Sequence, residues 1–305
     1  MGGALPNLLI AGVPKGGTSS LFRYLAQHPD ICPAAVKEIA YFNPLRREGA
    51  VLPSLESYKA HFAHCEGEKY AMEATPSYCY GGGRMIEGIK QTLGRPRVII
   101  SLRNPVDRLW SAYTFQRTKG HLEGVRSFED YVSICIEKRQ NGKKQGPYFG
   151  GVTISFYGEY VPSWFDRFDE DVKIIFTDDL FADPAAVVSE LCRWLSIDHH
   201  AATGLDYLTY NKTTHARSIK LSQATRTLKQ RGDGLLKRMP AVEKSLRKTY
   251  VRLNSGELDE TLQPQTRRDL DEMFRESNLA VSVALKARGY DRLPPWLERQ
   301  PAAAG

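Results

Sequence analysis

Gly12-Val13-Pro14-Lys15-Gly16-Gly17-Thr18-Ser19 follows the apolar run Leu8-Leu9-Ile10-Ala11 and leads into Ser20-Leu21-Phe22-Arg23-Tyr24-Leu25, an amphipathic stretch stopped by Pro29. An apolar run, a glycine-rich turn and a helical pattern in that order read as strand, loop, helix. Glycines let the chain curl so that successive amide N–H groups converge on one anion. The start of the following helix adds partial positive charge. Lys15 contributes a full charge, and Thr18 and Ser19 contribute hydroxyl donors. The stretch therefore reads as a phosphate-binding loop. It departs from the GxxxxGK[ST] pattern, because Lys15 precedes the glycine pair where that pattern has Lys directly before Ser or Thr.

Two further apolar runs extend the pattern. Val98-Ile99-Ile100-Ser101-Leu102 ends at Arg103-Asn104-Pro105, and Pro105 suits the first turn of a helix whose Leu109, Trp110 and Tyr113 share a face. Val172-Lys173-Ile174-Ile175-Phe176 ends at Thr177-Asp178-Asp179, and Pro184 opens a helix carrying Val187, Val188, Leu191, Trp194 and Leu195. Strands alternating with helices imply an α/β fold, with a P-loop-type central parallel sheet flanked by helices on both faces. Ligands in such folds bind beyond the carboxyl ends of the strands, where all three turns lie. The strand that would carry a metal-binding Asp ends instead in Arg103, a cation suited to phosphate. A rival reading takes Ile174 to Asp179 as the metal-binding strand of a P-loop kinase using ATP and Mg²⁺. Against it, Asp178 or Asp179 is expected to cap the short helix that follows.

The chain has 305 residues, 42% hydrophobic and 25% charged, as in folded soluble proteins. It reads as a single domain over 1–305, mainly helical toward its C-terminal end, where Leu270, Met273, Phe274, Leu279, Val283 and Leu285 are expected core residues. Its net charge of +7 favours an anionic partner. The five cysteines are scattered with no CxxC pair, so reduced, mostly buried thiols are expected, with neither a zinc site nor a disulfide framework. Without a basic start followed by a long apolar run, the chain is read as cytoplasmic.

From Arg217 to Arg252 basic residues outnumber Asp233 and Glu243, with leucines interleaved. A basic helical insertion is expected at about 215–255. It is either a solvated face or a surface for an anionic substrate or for the headgroups of an anionic membrane, which leaves open a membrane-peripheral placement and, as a rival function, a basic membrane-binding module. Nucleic acid is the least favoured partner.

Four segments, taken together, resemble the PAPS-dependent sulfotransferases, in the branch that includes heparan sulfate and bacterial carbohydrate-type enzymes. Lys15-Gly16-Gly17-Thr18 is similar to that family's 5′-phosphosulfate loop. Arg103-Asn104-Pro105-Val106-Asp107-Arg108-Leu109-Trp110-Ser111-Ala112-Tyr113 is similar to its 3′-phosphate motif, R-x-P-x-x-R-x-x-S-x-Y. Lys37-Glu38-Ile39-Ala40-Tyr41-Phe42 is similar to the segment that carries the general base. Glu73-Ala74-Thr75-Pro76-Ser77-Tyr78 is similar to the segment near the acceptor. Tyr157 to Trp164, Thr177 to Leu195 and Asn211-Lys212-Thr213 also resemble family segments, so the likeness covers most of the chain. The chain departs from heparan-type members at Ala40 and Ala74, where they often carry His and Lys, so a heparan-like acceptor is not carried over. The family's C-terminal nucleotide loop has no clear counterpart, Arg252-Leu253-Asn254 being the nearest.

The resemblance implies that the chain moves a sulfuryl group from 3′-phosphoadenosine 5′-phosphosulfate (PAPS) to a hydroxyl of a carbohydrate, glycolipid or natural-product acceptor, leaving 3′,5′-bisphosphoadenosine and needing no metal. It assigns the 5′ end of the nucleotide to Lys15, Gly16, Gly17, Thr18 and Ser19, and the 3′-phosphate to Arg103 and Ser111, with Arg252 as a further contact. Arg103 and Ser111, eight positions apart, can converge on one phosphate. Glu38 is the expected base, its plainer alternative being a surface ion pair with Lys37. Glu73, Tyr78, Asn211, Lys212 and His215 are the expected acceptor contacts. Arg108 and Asp107 are expected on a solvated helix face, and Trp110 and Tyr113 in the core rather than against adenine.

Overall fold

The computed structural model describes residues 4–141, 146, 148–208, 215–216, 255–256 and 260–298. A five-stranded sheet is built from β1 (Leu8–Gly12), β2 (Ile31–Pro33), β3 (Tyr70–Ala74), β4 (Arg97–Leu102) and β5 (Val172–Phe176), in the order β2-β3-β1-β4-β5. Every neighbouring pair is parallel. A two-residue pair, β6 (His215–Ala216) and β7 (Ser255–Gly256), runs antiparallel. The helices are α1 (Thr18–Leu25), α2 (Leu55–Lys59), α3 (Gly83–Leu93), α4 (Pro105–Thr118), α5 (Phe128–Gln140), α6 (Gly151–Ser155), α7 (Val161–Phe168), α8 (Thr177–Ala182), α9 (Pro184–Trp194), α10 (Pro264–Lys286) and α11 (Pro295–Glu298). The expected α/β architecture, with its parallel sheet and helical C-terminal region, is what the chain forms.

The chain divides into two compact units: Met1–Asn104, Phe156–Tyr210 and Arg275–Gly305 in the first, and Pro105–Ser155 with Asn211–Phe274 in the second. The sheet belongs to the first unit. Side chains alternate across a strand, so each strand feeds both faces. Leu9, Ala11, Val98, Ile100 and Ile174 pack with Met85 and Ile89 of α3 and Trp164 and Phe165 of α7. Leu8, Ile10, Ile99 and Ile175 pack with Leu21 and Leu25 of α1 and Val188 and Leu191 of α9. Each Leu, Ile or Val among these contributes about 1.5–3 kcal/mol by leaving water, which explains why these strands read as mainly apolar runs. α9 starts where Pro184 predicts, capped by Asp183, whose carboxylate accepts the Ala186 N–H at 2.9 Å.

In the second unit, α4 packs on α5 and α6. Tyr113 is buried, as expected of a core residue, whereas Trp110 is half-buried and meets Phe128 edge-on. Arg108 corrects the expectation of a solvated face. It is 1% exposed, and its guanidinium donates to Ser155 Oγ at 2.8 and 3.1 Å and to the Gly151 carbonyl. Asp107 is partly exposed and pairs with Arg267. Three other expectations are also corrected. Phe176 takes the N-cap of α8, so Asp178 and Asp179 lie in its first turn, where they favour the helix dipole without capping. Leu279 and Val283 are exposed; Asn278, Val281 and Ser282, with Leu285, take the buried face of α10 that was expected to hold them.

The third correction concerns the cysteines. Cys79, Cys135 and Cys192 are free and buried, but Cys32 and Cys65 form a disulfide with Cα atoms 5.7 Å apart. The Ala35 N–H donates to the His61 carbonyl at 2.9 Å, and His64 Nε2 lies 3.0 Å from the Pro33 carbonyl. These contacts align two segments that are 33 residues apart in sequence, a proximity no spacing rule reveals. The expected basic insertion falls almost entirely outside the described residues.

Candidate functional site

The loop from Gly12 to Ser19 joins β1 to α1 at the carboxyl edge of the sheet. It is anchored on β4, since the Val13 N–H donates to the Ser101 carbonyl at 3.0 Å and Ser101 Oγ donates to the Gly16 carbonyl. A Cβ on Gly16 would sit 2.5 Å from the Ser101 carbonyl oxygen, so only glycine permits this approach. Gly17, at φ 79°, is the N-cap of α1 in the left-handed region, and no side chain caps the helix. The first-turn amides of a helix have no intrahelical acceptor, so Thr18 and Ser19 present theirs at this end. The Gly16 N–H, expected to face the anion, is instead spent on the Val13 carbonyl at 3.0 Å. Lys15 is itself left-handed, at φ 71°, and half-buried.

Arg103 closes β4 directly beside this loop. Its Nη1 donates to the Lys15 carbonyl at 3.3 Å, and its own carbonyl accepts from the Tyr157 hydroxyl at 2.8 Å. Thr177 Oγ1, at the end of β5, donates to the Leu102 carbonyl at 3.0 Å. The ends of β1, β4 and β5 are thus tied together, and two of them carry cations.

The other strand ends carry the carboxylates. After β2 the chain runs out to Glu38, whose exposed side chain pairs with Lys37 at 2.6 Å. Its N–H donates to the Ala74 carbonyl, at the end of β3, at 3.0 Å. Glu38 and Ala40 both take left-handed backbone, at φ 66° and 60°. Glu73 is fully buried within β3. Its Oε1 accepts from Thr75 at 2.7 Å and Tyr78 at 2.6 Å, and its Oε2 accepts from Tyr58. Burial pushes the Glu73 carboxyl up, against the hydroxyls of Tyr58, Tyr78 and Thr75, which pull it down. Burial, with the nearby Glu73 charge, also pushes the phenols of Tyr58 and Tyr78 up. Sequence reading missed Tyr58, because a lone tyrosine on a short helix carries no signal.

Lys15, Glu38, Glu73, Tyr78 and Arg103 all belong to the first unit, whereas Ser111 is a buried residue of α4 in the second. Asn211, Lys212 and Arg252 lie outside the described residues, and His215 is described by its backbone in β6 alone. Among the described residues, the His, Cys, Asp and Glu side chains close enough to share an ion are Cys32, His64 and Cys65, whose sulfurs are already bonded to one another. No helix among the described residues is long and apolar enough to cross a membrane.

A structure of a sulfotransferase from Alicyclobacillus acidocaldarius shares this fold, with a TM-score of 0.67 at 22% identity, covering 96% of this chain and 99% of that one. A crystal structure of the mouse sulfotransferase SULT7A1 complexed with PAP superposes with a TM-score of 0.51 at 14% identity, covering 93% of this chain and 88% of that one. The human heparan sulfate glucosamine 3-O-sulfotransferase 3B1 is 26% identical over 225 residues, 72% of this chain and 53% of the human protein. The chain spans between about a third and just over half of the length of the curated relatives it matches. A family model described as the sulfotransferase domain matches residues 5–280. That span holds the glycine loop, the Arg103 strand end and both carboxylate segments, and the chain belongs to the sulfotransferase domain family.

Proposed function

We propose that this chain transfers a sulfuryl group from PAPS to an acceptor hydroxyl. The observation that carries the reading is the pairing of Lys15 with Arg103. One cation sits on a glycine loop at a helix start, and a second closes the adjacent strand and donates to the main-chain carbonyl of the first. A nucleotide with an anionic group at each end matches cations on adjacent strand ends. The close approach of Gly16 to Ser101, which a Cβ would block, fixes the loop against β4. The PAP complex of the mouse structural neighbour supports the nucleotide class.

PAPS would supply the sulfuryl group and a bisphosphorylated leaving group. Lys15 and the first-turn amides of α1 would hold the 5′ end and neutralise the charge that gathers as the bond breaks. Arg103 would hold the 3′-phosphate bidentately, with Ser111 assigned to the same group by the sequence motif. Arg103 stands where a triphosphate-binding loop would have a metal-binding carboxylate, so the proposed scheme uses cations in place of a metal. Glu38 would take the acceptor proton. Its exposed, loop-borne carboxylate can reach a bulky acceptor. A carbohydrate-class acceptor is supported by the heparan sulfate relative. Ala40 and Ala74 argue for an acceptor less anionic than heparan. Asn211, Lys212 and His215 remain the proposed acceptor contacts, and 217–252 the proposed surface for an anionic or lipid-linked one.

The reading is tested with labelled PAPS and, separately, ATP with Mg²⁺. Transfer from PAPS, and binding of 3′,5′-bisphosphoadenosine far tighter than AMP, are the expected results. Equal affinity for the two nucleotides would remove the second anion site and the proposal with it. A mass-spectrometric screen for added sulfate across acceptor classes identifies the acceptor.

A further inference from the structure

We propose that Glu73 is a positioning residue that holds the Glu38 loop through two buried hydroxyls and does not itself touch the acceptor. The proposal rests on Glu38 being the base.

The wiring follows from which groups can donate. The Ala40 N–H donates to Thr75 Oγ1 at 3.2 Å, and the Phe42 N–H donates to the Tyr78 hydroxyl oxygen at 3.3 Å. An amide can only donate, so each hydroxyl oxygen is an acceptor there, and each hydroxyl has one proton left to give. Both give it to Glu73 Oε1, at 2.7 and 2.6 Å. Tyr58 gives its proton to Oε2. The three hydroxyls thus converge on one carboxylate, and two of them relay its hold to the main chain.

The segment they hold is the one that needs holding. Glu38 and Ala40 both lie in left-handed backbone without being glycine, a conformation that persists only where surroundings enforce it. Three clamps act on this loop: Glu38 on the Ala74 carbonyl, Ala40 on Thr75 and Phe42 on Tyr78. All three start from β3 or the turn that follows it. Glu73 is 0% exposed and its partners are buried, so it has no face to offer an acceptor. A buried network satisfied at each member rigidifies what it joins, and here that is the backbone on either side of the base.

Thr75→Val and Tyr78→Phe each remove one relay with little change of volume. Glu73→Met removes the common acceptor, and Glu73→Gln keeps an oxygen able to take the place of Oε1. Amide hydrogen exchange is read by mass spectrometry. Exchange about tenfold faster is expected at Ala40 in Thr75→Val, at Phe42 in Tyr78→Phe, and at both in Glu73→Met. Amides of the phosphate loop should exchange as in wild type, and affinity for 3′,5′-bisphosphoadenosine should stay within twofold. With the acceptor found in the product screen, kcat falls at least tenfold at unchanged KM for PAPS, the acid limb of the pH–rate profile moves, and Glu73→Gln retains most activity. Wild-type exchange at Ala40 and Phe42 in the two relay variants overturns the proposal, as does faster exchange at unchanged kcat. If the amides respond as expected while Glu38→Gln still turns over, the base assignment has failed and the clamp stands.

Discussion

Arg103 donates from Nη1 to the main-chain carbonyl of Lys15 across 3.3 Å, so the cation at the end of β4 helps to hold the cation-bearing loop at the end of β1. The contact is between a side chain and the backbone.

Because of that link the two should not act additively. Lys15→Ala and Arg103→Ala should each weaken binding of 3′,5′-bisphosphoadenosine by about tenfold or more, since hydrogen bonds to charged groups contribute about 1.5–3 kcal/mol. The double variant should deviate from the sum of the singles by at least about 0.5 kcal/mol. Isothermal titration calorimetry on the four proteins closes the cycle. Strict additivity would mean that the Arg103 contact does nothing for the loop.

Glu38→Gln should lower sulfuryl transfer by about 10²–10⁴-fold, the usual range for a general base. Nucleotide affinity should stay within twofold, since Glu38 lies on the loop after β2 and the cations lie at the ends of β1 and β4. Turnover near wild type would place the base elsewhere.

Burial raises the Glu73 carboxyl above its ordinary value, so Glu73 keeps its proton to higher pH folded than unfolded. The folded state then binds more protons between the two values, and stability falls as pH rises from about 4.3, the unfolded carboxylate value, toward the raised one. Glu73→Gln cannot titrate and should lack this loss. Urea unfolding of both proteins across pH 4 to 8 measures the difference. It should grow in favour of the variant as pH rises, and a constant gap or the opposite slope would contradict the assignment.

Thiol titration of the denatured, unreduced protein should find Cys79, Cys135 and Cys192 reactive, and reduction should add Cys32 and Cys65. Closing a loop of 33 residues restricts the unfolded chain, so Cys65→Ser should cost about 3–4 kcal/mol. All five thiols reacting before reduction would remove the bond.

Val98 to Leu102 and Val172 to Phe176 were readable because most of their side chains are buried on both faces, which shows as a mainly apolar run broken only at Ser101 and Lys173. β2 and β3 were not readable. β2 is a three-residue piece at the sheet edge, ending in Pro33. β3 places Glu73 in its interior, and a charged residue there speaks against a strand until its three hydroxyl partners are known. Arg108 misled for the same reason. A long cation on an amphipathic helix reads as solvated, and only Ser155 and Gly151, more than forty residues away, supply a buried home for it.

What could be read from order alone were features that local chemistry sets within a few residues: the glycine loop before a helix, the strand ending in Arg103 and the start of α9 at Pro184. Contacts made across the sheet waited on the fold, among them Tyr58 on Glu73, Cys32 on Cys65 and Arg103 on the Lys15 carbonyl. Each depends on which strands lie side by side, here β2-β3-β1-β4-β5, and that order is decided by the burial of whole elements against one another rather than by any neighbouring residues.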